Sequence, residues 1–116
     1  MSGAAHGLSK EERICSKKDI AALLASGKWC GSGVLKACYS PNGLEISRIM
    51  VSVPKRLFKR AVKRNLLKRR IRESYRLQKE LLEGGYDVLF QYNSADVAEF
   101  AAICDDVAAV LRRVAK

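Results

Sequence analysis

The sequence predicts a single α+β domain, an α/β sandwich in which helices pack on a mixed sheet in the order α-β-β-α-β-α. Its length of 116 residues suits one domain and hardly two. Residues 45–53 have the two-residue period of a strand, which sets Ile46, Arg48, Met50 and Ser52 against Ser47, Ile49, Val51 and Val53. Two later segments repeat apolar residues every three or four positions, which is the spacing of amphipathic helices.

The first element is predicted to be a helix over about residues 17–26. Ser16 is a suitable N-cap, and Asp19 follows three residues later in a weaker relative of the capping box. Apolar residues then recur at helical spacing until Gly27, which is a common signal for the end of a helix.

Two strands are expected next, over about residues 33–40 and 45–53. The turn Pro41–Gly43 lies between them, so the sequence predicts that they pair as a hairpin. Pro54 ends the second strand, because proline has no N–H to donate to a ladder.

The second half of the chain predicts two helices separated by a strand. A long basic helix is expected over about residues 59–83, where Gly84–Gly85 stops it. A strand follows over residues 86–92. The polar residues after this strand offer caps for a last amphipathic helix over about residues 95–114.

Composition disfavours several classes of protein. No window reaches the ~18 to 20 apolar residues of a membrane span, and the N-terminal stretch has no apolar signal segment, which predicts a cytoplasmic location. The four cysteines are far apart and there is one histidine, so no metal site is expected. Residues 1–13 are predicted to be a flexible leader before a single domain over residues 14–116.

The net charge of +10 is concentrated in one segment. Residues 54–80 hold twelve of the 22 Lys and Arg but only two of the 12 acidic residues, Glu73 and Glu80. The remainder of the chain therefore has ten of each sign and is neutral. A field focused in this way attracts a polyanion, and no strongly apolar face accompanies it that would favour a membrane surface.

The basic helix is predicted to have an anchoring side and a cationic side. At about 100° per residue, one apolar stripe should face the core, and it consists of Leu67, Ile71, Tyr75 and Leu82. A second apolar flank consists of Val62, Leu66, Leu77 and Leu81. The cationic side gathers Asn65, Lys68, Arg69, Arg72, Arg76 and Lys79. The N-terminal end adds Lys55, Arg56, Lys59, Arg60, Lys63 and Arg64.

The cationic side predicts nucleic-acid binding rather than a solvated face. Solvated faces mix both signs, whereas Lys68, Arg72 and Arg76 are like-charged neighbours, which costs roughly a few tenths of a kcal/mol per pair. Arginine outnumbers lysine here by seven to five and can grip two phosphate oxygens at once. DNA readers usually present a helix-turn-helix or a basic region with heptads, and neither is found, so structured RNA is favoured.

A longer motif resembles the bacterial ribonuclease P protein component family. It runs from Arg48 to Arg76 and reads RIMVSVPKRLFKRAVKRNLLKRRIRESYR. In that family a strand leads into a helix with Arg-Asn-Arg, Lys-Arg, Arg-Glu and an aromatic residue before a final Arg. This chain matches the pattern in order and spacing at Arg64-Asn65, Lys68-Arg69, Arg72-Glu73 and Tyr75-Arg76. The resemblance covers about residues 10–114.

The resemblance implies the fold and activity of that family. The fold would be ribosomal-protein-S5-like, with a left-handed strand-helix-strand crossover where general rules favour the right hand. The family's enzyme is a ribonucleoprotein endonuclease that removes 5′ leaders from precursor tRNA. Its RNA subunit cleaves with bound Mg²⁺, so the protein would have no catalytic residue and no organic cofactor. The protein would be a monomer in a 1:1 complex with ribonuclease P RNA that also binds precursor tRNA.

The resemblance also implies two groups of binding residues. Those expected to contact the catalytic RNA are Lys55, Arg56, Lys59, Arg64, Asn65, Lys68, Arg69, Arg72 and Arg76. A cleft between the first helix and the sheet would guide the leader, and its candidate residues are Ile20, Leu24, Lys36, Met50 and Ser52. This second group depends on strand register, which decides the face that each residue takes.

The chain departs from the family pattern in the basic helix. Leu66 stands where the family usually has Arg. One RNA contact is therefore expected to be absent, or to be supplied by Arg70 or Lys63.

The first helix departs from the pattern as well. Ile20 and Leu24 stand where the family often has aromatic residues, and aliphatic side chains cannot stack on bases as aromatic rings do. Trp29 and Tyr39 are nearby aromatic residues. The sequence allows two interpretations of each residue, which are stacking on a base and partial burial as an amphipathic side chain.

Three other functions are compatible with a basic helix. A ribosomal-type RNA-binding protein would share the charge and its salt dependence without a role in cleavage. A DNA-binding regulator would prefer duplex DNA. A metal-dependent nuclease would cleave without an RNA subunit, but the acidic residues are scattered, whereas a two-metal site needs converging carboxylates.

Overall fold

A computed structural model describes residues 10–14, 16–82 and 84–115. In these residues the main elements are α1 (Lys17–Ser26), β1 (Lys28–Ser32), β2 (Leu35–Pro41), β3 (Arg48–Ser52), α2 (Ala61–Gln78), β4 (Tyr86–Tyr92) and α3 (Phe100–Val114). Short 3₁₀ helices lie at Lys10–Glu12 and Lys79–Leu81. The predicted α+β architecture is confirmed, since the helices pack on a mixed four-stranded sheet.

The sheet has the strand order β1-β2-β4-β3. β2 is antiparallel to both β1 and β4, while β3 lies parallel to β4. The predicted hairpin between the second and third of these strands is therefore wrong, because β4 lies between β2 and β3. The loop after β2 is held at the start of β4, where the Asn42 N–H donates to the Gly85 carbonyl at 2.8 Å. Turn residues determine where a chain reverses, but not whether the next strand pairs at once or skips a position.

The sequence does not predict β1 as a separate strand. Its five residues include Gly31 and give weak alternation, so its order depends on pairing with β2. The turn between the two strands places Gly33 at a φ of 54°. Asp106 of α3 fastens this turn, since its carboxylate accepts from the Ser32 hydroxyl at 3.2 Å and from the Val34 N–H at 3.0 Å.

Gly33→Ala is expected to destabilise the protein more than Gly43→Ala. Both glycines have positive φ, 54° and 73°, so each alanine introduces about 1–2 kcal/mol of backbone strain. A Cβ on Gly33 would also lie 2.4 Å from the Asp106 carboxylate oxygens, whereas a Cβ on Gly43 meets nothing within 4 Å. Displacing that carboxylate adds a loss of about 1–3 kcal/mol. Urea titrations measure the difference, and equal losses would contradict this role of Asp106.

The sheet separates two cores of unequal size. The main core lies between one sheet face and the helices α2 and α3, and its β4 residues are Val88, Phe90 and Tyr92. The opposite face has a smaller core under α1, formed by Ile14, Leu23, Cys38 and Leu89. Alternation along the strands produces this division. One face is thus fully covered, and α1 covers the other in part.

α2 is shorter at both ends than the predicted range of 59–83. The Arg64 guanidinium donates to the carbonyls of Phe58 and Lys59 at 2.7 and 2.8 Å, which holds those residues in a loop before the helix. After Gln78 the chain tightens into the second 3₁₀ helix. α2 connects β3 with its parallel neighbour β4, and the left hand of this crossover stays a prediction.

α3 begins at Phe100 rather than near residue 95. The Tyr92 hydroxyl organises the preceding loop by donating to the Asp96 carbonyl at 2.5 Å and accepting from the Ala98 N–H at 2.9 Å. The Ser94 hydroxyl accepts from the Asp96 N–H at 3.1 Å. The polar residues that the sequence predicts as helix caps therefore shape a loop.

The leader predicted over residues 1–13 lies largely outside the described residues. Its last part has regular structure, because Lys10–Glu12 form a 3₁₀ helix and Arg13 bridges to Ile49 at the edge of the sheet. The predicted boundary between leader and domain at residue 14 stays a prediction. No helix in the described part of the chain is long and apolar enough to cross a membrane.

Candidate nucleic-acid interface

α2 is anchored to the main core by the stripe that its periodicity predicts. Leu67, Ile71 and Tyr75 are buried, and Leu82 reaches the same core from beyond the end of the helix. Burial raises the pKa of the Tyr75 phenol to about 12. The anchoring side of the prediction is confirmed.

The buried phenol of Tyr75 predicts a loss of stability at alkaline pH. Its pKa is about 12 in the folded protein and about 10 in the unfolded chain. As pH rises from about 10 to about 12, only the unfolded chain releases this proton, so unfolding becomes easier by about 2–3 kcal/mol. Tyr75→Phe should abolish this part of the pH dependence in urea titrations. Identical profiles for the two proteins would contradict the assignment.

The cationic side of α2 faces away from the main core. Asn65, Arg69 and Arg72 are exposed, and Lys68 is half-buried beside them. Partial burial lowers the pKa of the Arg72 guanidinium, and the nearby charge of Arg13 lowers it further. Arg13 therefore adds a cation to this surface that helix periodicity alone does not reveal.

Three of the predicted cations have partners within the protein. Arg64 holds the loop before α2 through its bonds to two carbonyls. Arg76 forms an ion pair with Glu73 one turn earlier, and Lys79 pairs with Glu12 at 2.8 Å. In the described part of the chain, no carboxylate forms an ion pair with Lys55, Arg56, Lys59, Arg69 or Arg72.

The loop between β3 and α2 extends the cationic surface beyond the helix. Phe58 anchors this loop, because it is buried with its ring centroid 5.9 Å from that of Tyr92. Lys55, Arg56 and Lys59 are exposed around this anchor. The loop and the exposed side of α2 are consecutive in the chain, so the predicted cations form one continuous stretch.

The predicted second apolar flank of α2 is largely exposed. Val62 is 78% exposed and Leu77 is 52% exposed, while Leu66 is half-buried. Arg70 and Lys63 are the two residues expected to supply the RNA contact that Leu66 lacks. Arg70 donates at 2.6 Å to a carbonyl of the loop before α3. Lys63 is exposed and is therefore the better placed substitute.

The second sheet face beside α1 is called the sheet cleft below. Its strand residues are Trp29, Lys36, Met50, Ser52, Leu89 and Gln91, and Ile20 and Leu24 belong to the helix that covers part of it. Strand register aligns one row beneath α1, which consists of Met50, Leu89 and Cys38. Leu23 of α1 packs on this row, and Ile20 packs against the same cluster. Leu24 follows Ile20 by one turn on the same side of α1 and is half-exposed.

The next row of the sheet cleft is polar. Lys36, Gln91 and Ser52 lie side by side on β2, β4 and β3. Lys36 is exposed, and the other two are half-buried. The five residues predicted for a leader cleft thus share one face of the molecule. Gln91 lies on the same face because β4 pairs with β2 and β3. Both of these strands are far from Gln91 in the sequence, so no local pattern indicates that it is their neighbour.

The two aromatic residues near the sheet cleft take opposite faces. Trp29 aligns with Cys38, so it shares the cleft face, where it is 51% exposed. Tyr39 aligns with Lys28 and Val88 and packs against the main core. Trp29 is therefore the one of the pair that a ligand in the sheet cleft can reach.

A polar cluster around Arg48 joins α1 to the sheet. The Arg48 guanidinium donates to both carboxylate oxygens of Asp87, at 2.9 and 2.7 Å, and to Asp19 of α1 at 3.3 Å. The side-chain amide of Asn42 also donates to Asp87, at 2.9 Å. Hydrogen bonding to Asp87 is the main cause that raises the pKa of Arg48. These four residues are the Arg48 cluster.

Comparisons with known proteins identify one family. A family model described as Ribonuclease P matches residues 8–115. The chain is 38% identical over 109 residues to the ribonuclease P protein component of Porphyromonas gingivalis, covering 91% of this chain and 77% of that protein. It is 42% identical over 117 residues to the Ralstonia pickettii protein of the same name, covering 95% and 83%. The solved RNase P protein from Thermotoga maritima has the same fold, with a TM-score of 0.79 at 23% identity over 88% of this chain and 96% of that one.

Proposed function

The chain belongs to the ribonuclease P protein component family, and on that premise we propose how it works within a ribonuclease P endoribonuclease. It binds the catalytic ribonuclease P RNA and precursor tRNA, and it assists Mg²⁺-dependent removal of the 5′ leader. It acts in the cytoplasm, as a monomer in a 1:1 complex with the RNA. The observation that supports this proposal best is the exposed cationic surface on α2 and the loop before it.

The catalytic RNA is bound by Lys55, Arg56, Lys59, Arg64, Asn65, Lys68, Arg69, Arg72 and Arg76. Charges that no carboxylate neutralises are available to phosphate oxygens, and charge-assisted bonds to phosphate are stronger than neutral ones. Arg64 and Arg76 use part of their guanidinium donors within the protein. Since a guanidinium has five N–H donors, both residues retain donors for the RNA.

The sheet cleft binds the leader as a single strand. Met50 is half-buried and presents an apolar surface that suits the face of a base, and the adjacent row presents Lys36 and Ser52 to phosphates and hydroxyls. Ile20 and Leu24 form the wall of the cleft on the side of α1. The Arg48 cluster attaches α1 to the sheet, because Arg48 donates to Asp19 of that helix.

The chemistry is assigned to the RNA subunit and the Mg²⁺ that it holds. No protein residue is proposed as catalytic, and no organic cofactor is required. A two-metal site needs several carboxylates that converge on the metals. Asp19 and Asp87 are both bound to the Arg48 guanidinium, and Asp106 fastens the β1–β2 turn. These three carboxylates are engaged within the protein, and we assign to the protein the role of reducing phosphate repulsion between the two RNAs.

Cleavage at low Mg²⁺ tests the proposal. The protein, ribonuclease P RNA and a precursor tRNA with a long leader are combined at a Mg²⁺ concentration where the RNA alone cleaves slowly. The protein is expected to restore cleavage at the mature 5′ end, because it neutralises phosphates that Mg²⁺ would otherwise have to screen. RNA binding without faster cleavage would favour a ribosomal-type RNA-binding protein. Cleavage without the RNA subunit would favour a nuclease that acts alone.

A further inference from the structure

We propose that Trp29 is a base-stacking platform for single-stranded RNA at the β1 edge of the sheet cleft. This inference rests on the proposed function, because the strand in question is the leader of precursor tRNA. It begins from the placement of one side chain, since the only tryptophan of the chain lies on the cleft face with 51% of its surface exposed.

The surroundings of Trp29 fit a nucleotide. Trp29 lies opposite Cys38, so Lys36 is its diagonal neighbour across the strand pair, at about 7–8 Å. Gly31 is the next β1 residue on the same face and lies opposite Lys36, so the stem of Lys36 packs over backbone there, and a Cβ on Gly31 would lie 4.0 Å from the Lys36 Cγ. A nucleotide can therefore place its base on the indole and its phosphate at the Lys36 ammonium.

Trp29 also supplies what the rest of the sheet cleft lacks. The other apolar residues that are at least partly exposed there are Ile20, Leu24 and Met50. These side chains can pack against a base but offer no aromatic ring, and Tyr39 is turned to the opposite face. Stacking on a ring tolerates any base, because every base has a π-face. A leader of variable sequence would therefore gain the same contact from Trp29.

The local charge favours RNA over a protein segment as the occupant. Lys36 is the cation on the same face as Trp29 in the paired strand, and it is exposed. It forms no ion pair within residues that the structure describes. An aromatic ring beside an unpaired cation is the combination with which proteins bind single-stranded nucleic acid.

Intrinsic fluorescence tests the contact directly, because emission comes from Trp29 alone. The full chain is titrated at low salt with single-stranded oligoadenylate, and stacking on the indole is expected to quench the emission in a saturable way. Duplex RNA is the matched control, which should bind the cationic surface of α2 without quenching. Unchanged emission at saturating oligoadenylate would overturn the inference. This experiment needs no substitution, so it decides the question even where a variant fails to fold.

Two variants in the reconstituted enzyme complete the test. Trp29→Leu is expected to weaken binding of a long-leader precursor tRNA by about fivefold to a hundredfold, and Trp29→Phe should recover most of the loss. The loss should vanish for a precursor whose leader is too short to reach the cleft. Leu44→Ala removes a side chain of similar exposure, 48%, from outside the cleft and is the control. Equal binding of the long leader by wild type and Trp29→Leu would overturn the inference.

The two proposals fail in different ways. If the wild-type protein does not promote cleavage at low Mg²⁺, the proposed function is wrong, while saturable quenching by oligoadenylate would still support the contact at Trp29. If the wild-type protein promotes cleavage and Trp29→Leu binds the long-leader precursor tRNA as tightly as the wild type, the proposed function stands and the role of Trp29 is wrong.

Discussion

Replacing both Arg69 and Arg72 by alanine is expected to weaken binding of ribonuclease P RNA by about a hundredfold at low salt. A hydrogen bond to a charged group contributes at least about 1.5 kcal/mol, so two lost phosphate contacts amount to about 3 kcal/mol. Both side chains are exposed on the cationic side of α2, and no carboxylate in the described part of the chain pairs with them. A filter-binding titration measures the change.

The salt dependence of binding distinguishes phosphate contacts from other effects. Each neutralised phosphate adds about 0.7–0.9 log units of affinity loss per log unit of salt. The Arg69→Ala/Arg72→Ala variant should therefore have a salt slope that is lower by roughly 1.4 to 1.8. A flat profile for the wild-type protein would contradict the electrostatic interpretation of the surface.

Stability provides the control for this variant. Arg72 lies four residues from both Lys68 and Arg76, so its removal relieves like-charge repulsion and should leave the Tm unchanged or slightly raised. A large fall in Tm would show that the two arginines are structural. Arg112→Ala/Arg113→Ala removes the same charge from exposed positions in the last turn of α3. That variant should retain most of the RNA affinity, since the charges are screened beyond about 8 Å.

Local periodicity was sufficient to predict α2 and its orientation. The stripe Leu67, Ile71 and Tyr75 repeats every four residues and is buried, as the pattern requires. Charge density then identified the opposite side, because apolar and cationic residues cannot share a face. The same reasoning failed for Val62 and Leu77, which are apolar and exposed. Periodicity alone cannot tell which apolar flank finds a packing partner.

Strand pairing lay beyond what local pattern could predict. Alternation placed Met50 and Ser52 on one face, because the side-chain period of a strand is two, while Lys36 joins that face through the register of β2 with β4. The order of the strands depends on contacts between β4 and strands more than 30 residues earlier. The sequence therefore predicted a hairpin where β4 intervenes, and Gln91 escaped notice as a neighbour of Lys36 and Ser52.

The Arg48 cluster shows the same limit for polar residues. In the sequence, Asp87 is one acid in an apolar strand and Arg48 is the first residue of a motif that the resemblance assigns to RNA recognition. Only the parallel register of β3 and β4 brings the two residues side by side. Arg48 then serves the fold, and its bond to Asp19 links the sheet to the helix that walls the sheet cleft.

Arg48→Met is expected to lower the free energy of unfolding by about 3 kcal/mol. Methionine retains much of the side-chain volume but removes both donors from Asp87, a residue that is only 7% exposed. The Asn42 amide remains as a partner, yet a neutral donor does not compensate a carboxylate charge in a buried site. The same substitution removes the ion pair between the sheet and Asp19 of α1. Urea titration at neutral pH measures the loss.

A second substitution separates the buried charge from the lost packing. Arg48→Met combined with Asp87→Asn removes the buried charge, since the remaining Asp19 carboxylate is 41% exposed, and the asparagine oxygen can still accept from Asn42, so more than half of the lost stability should return. Arg76→Met breaks an ion pair whose Glu73 side chain is 41% exposed, and it should have little effect. If Arg48→Met were as mild as Arg76→Met, Asp87 would not depend on Arg48. The attachment of α1 to the sheet would then rest on the packing of Leu23 and Ile20.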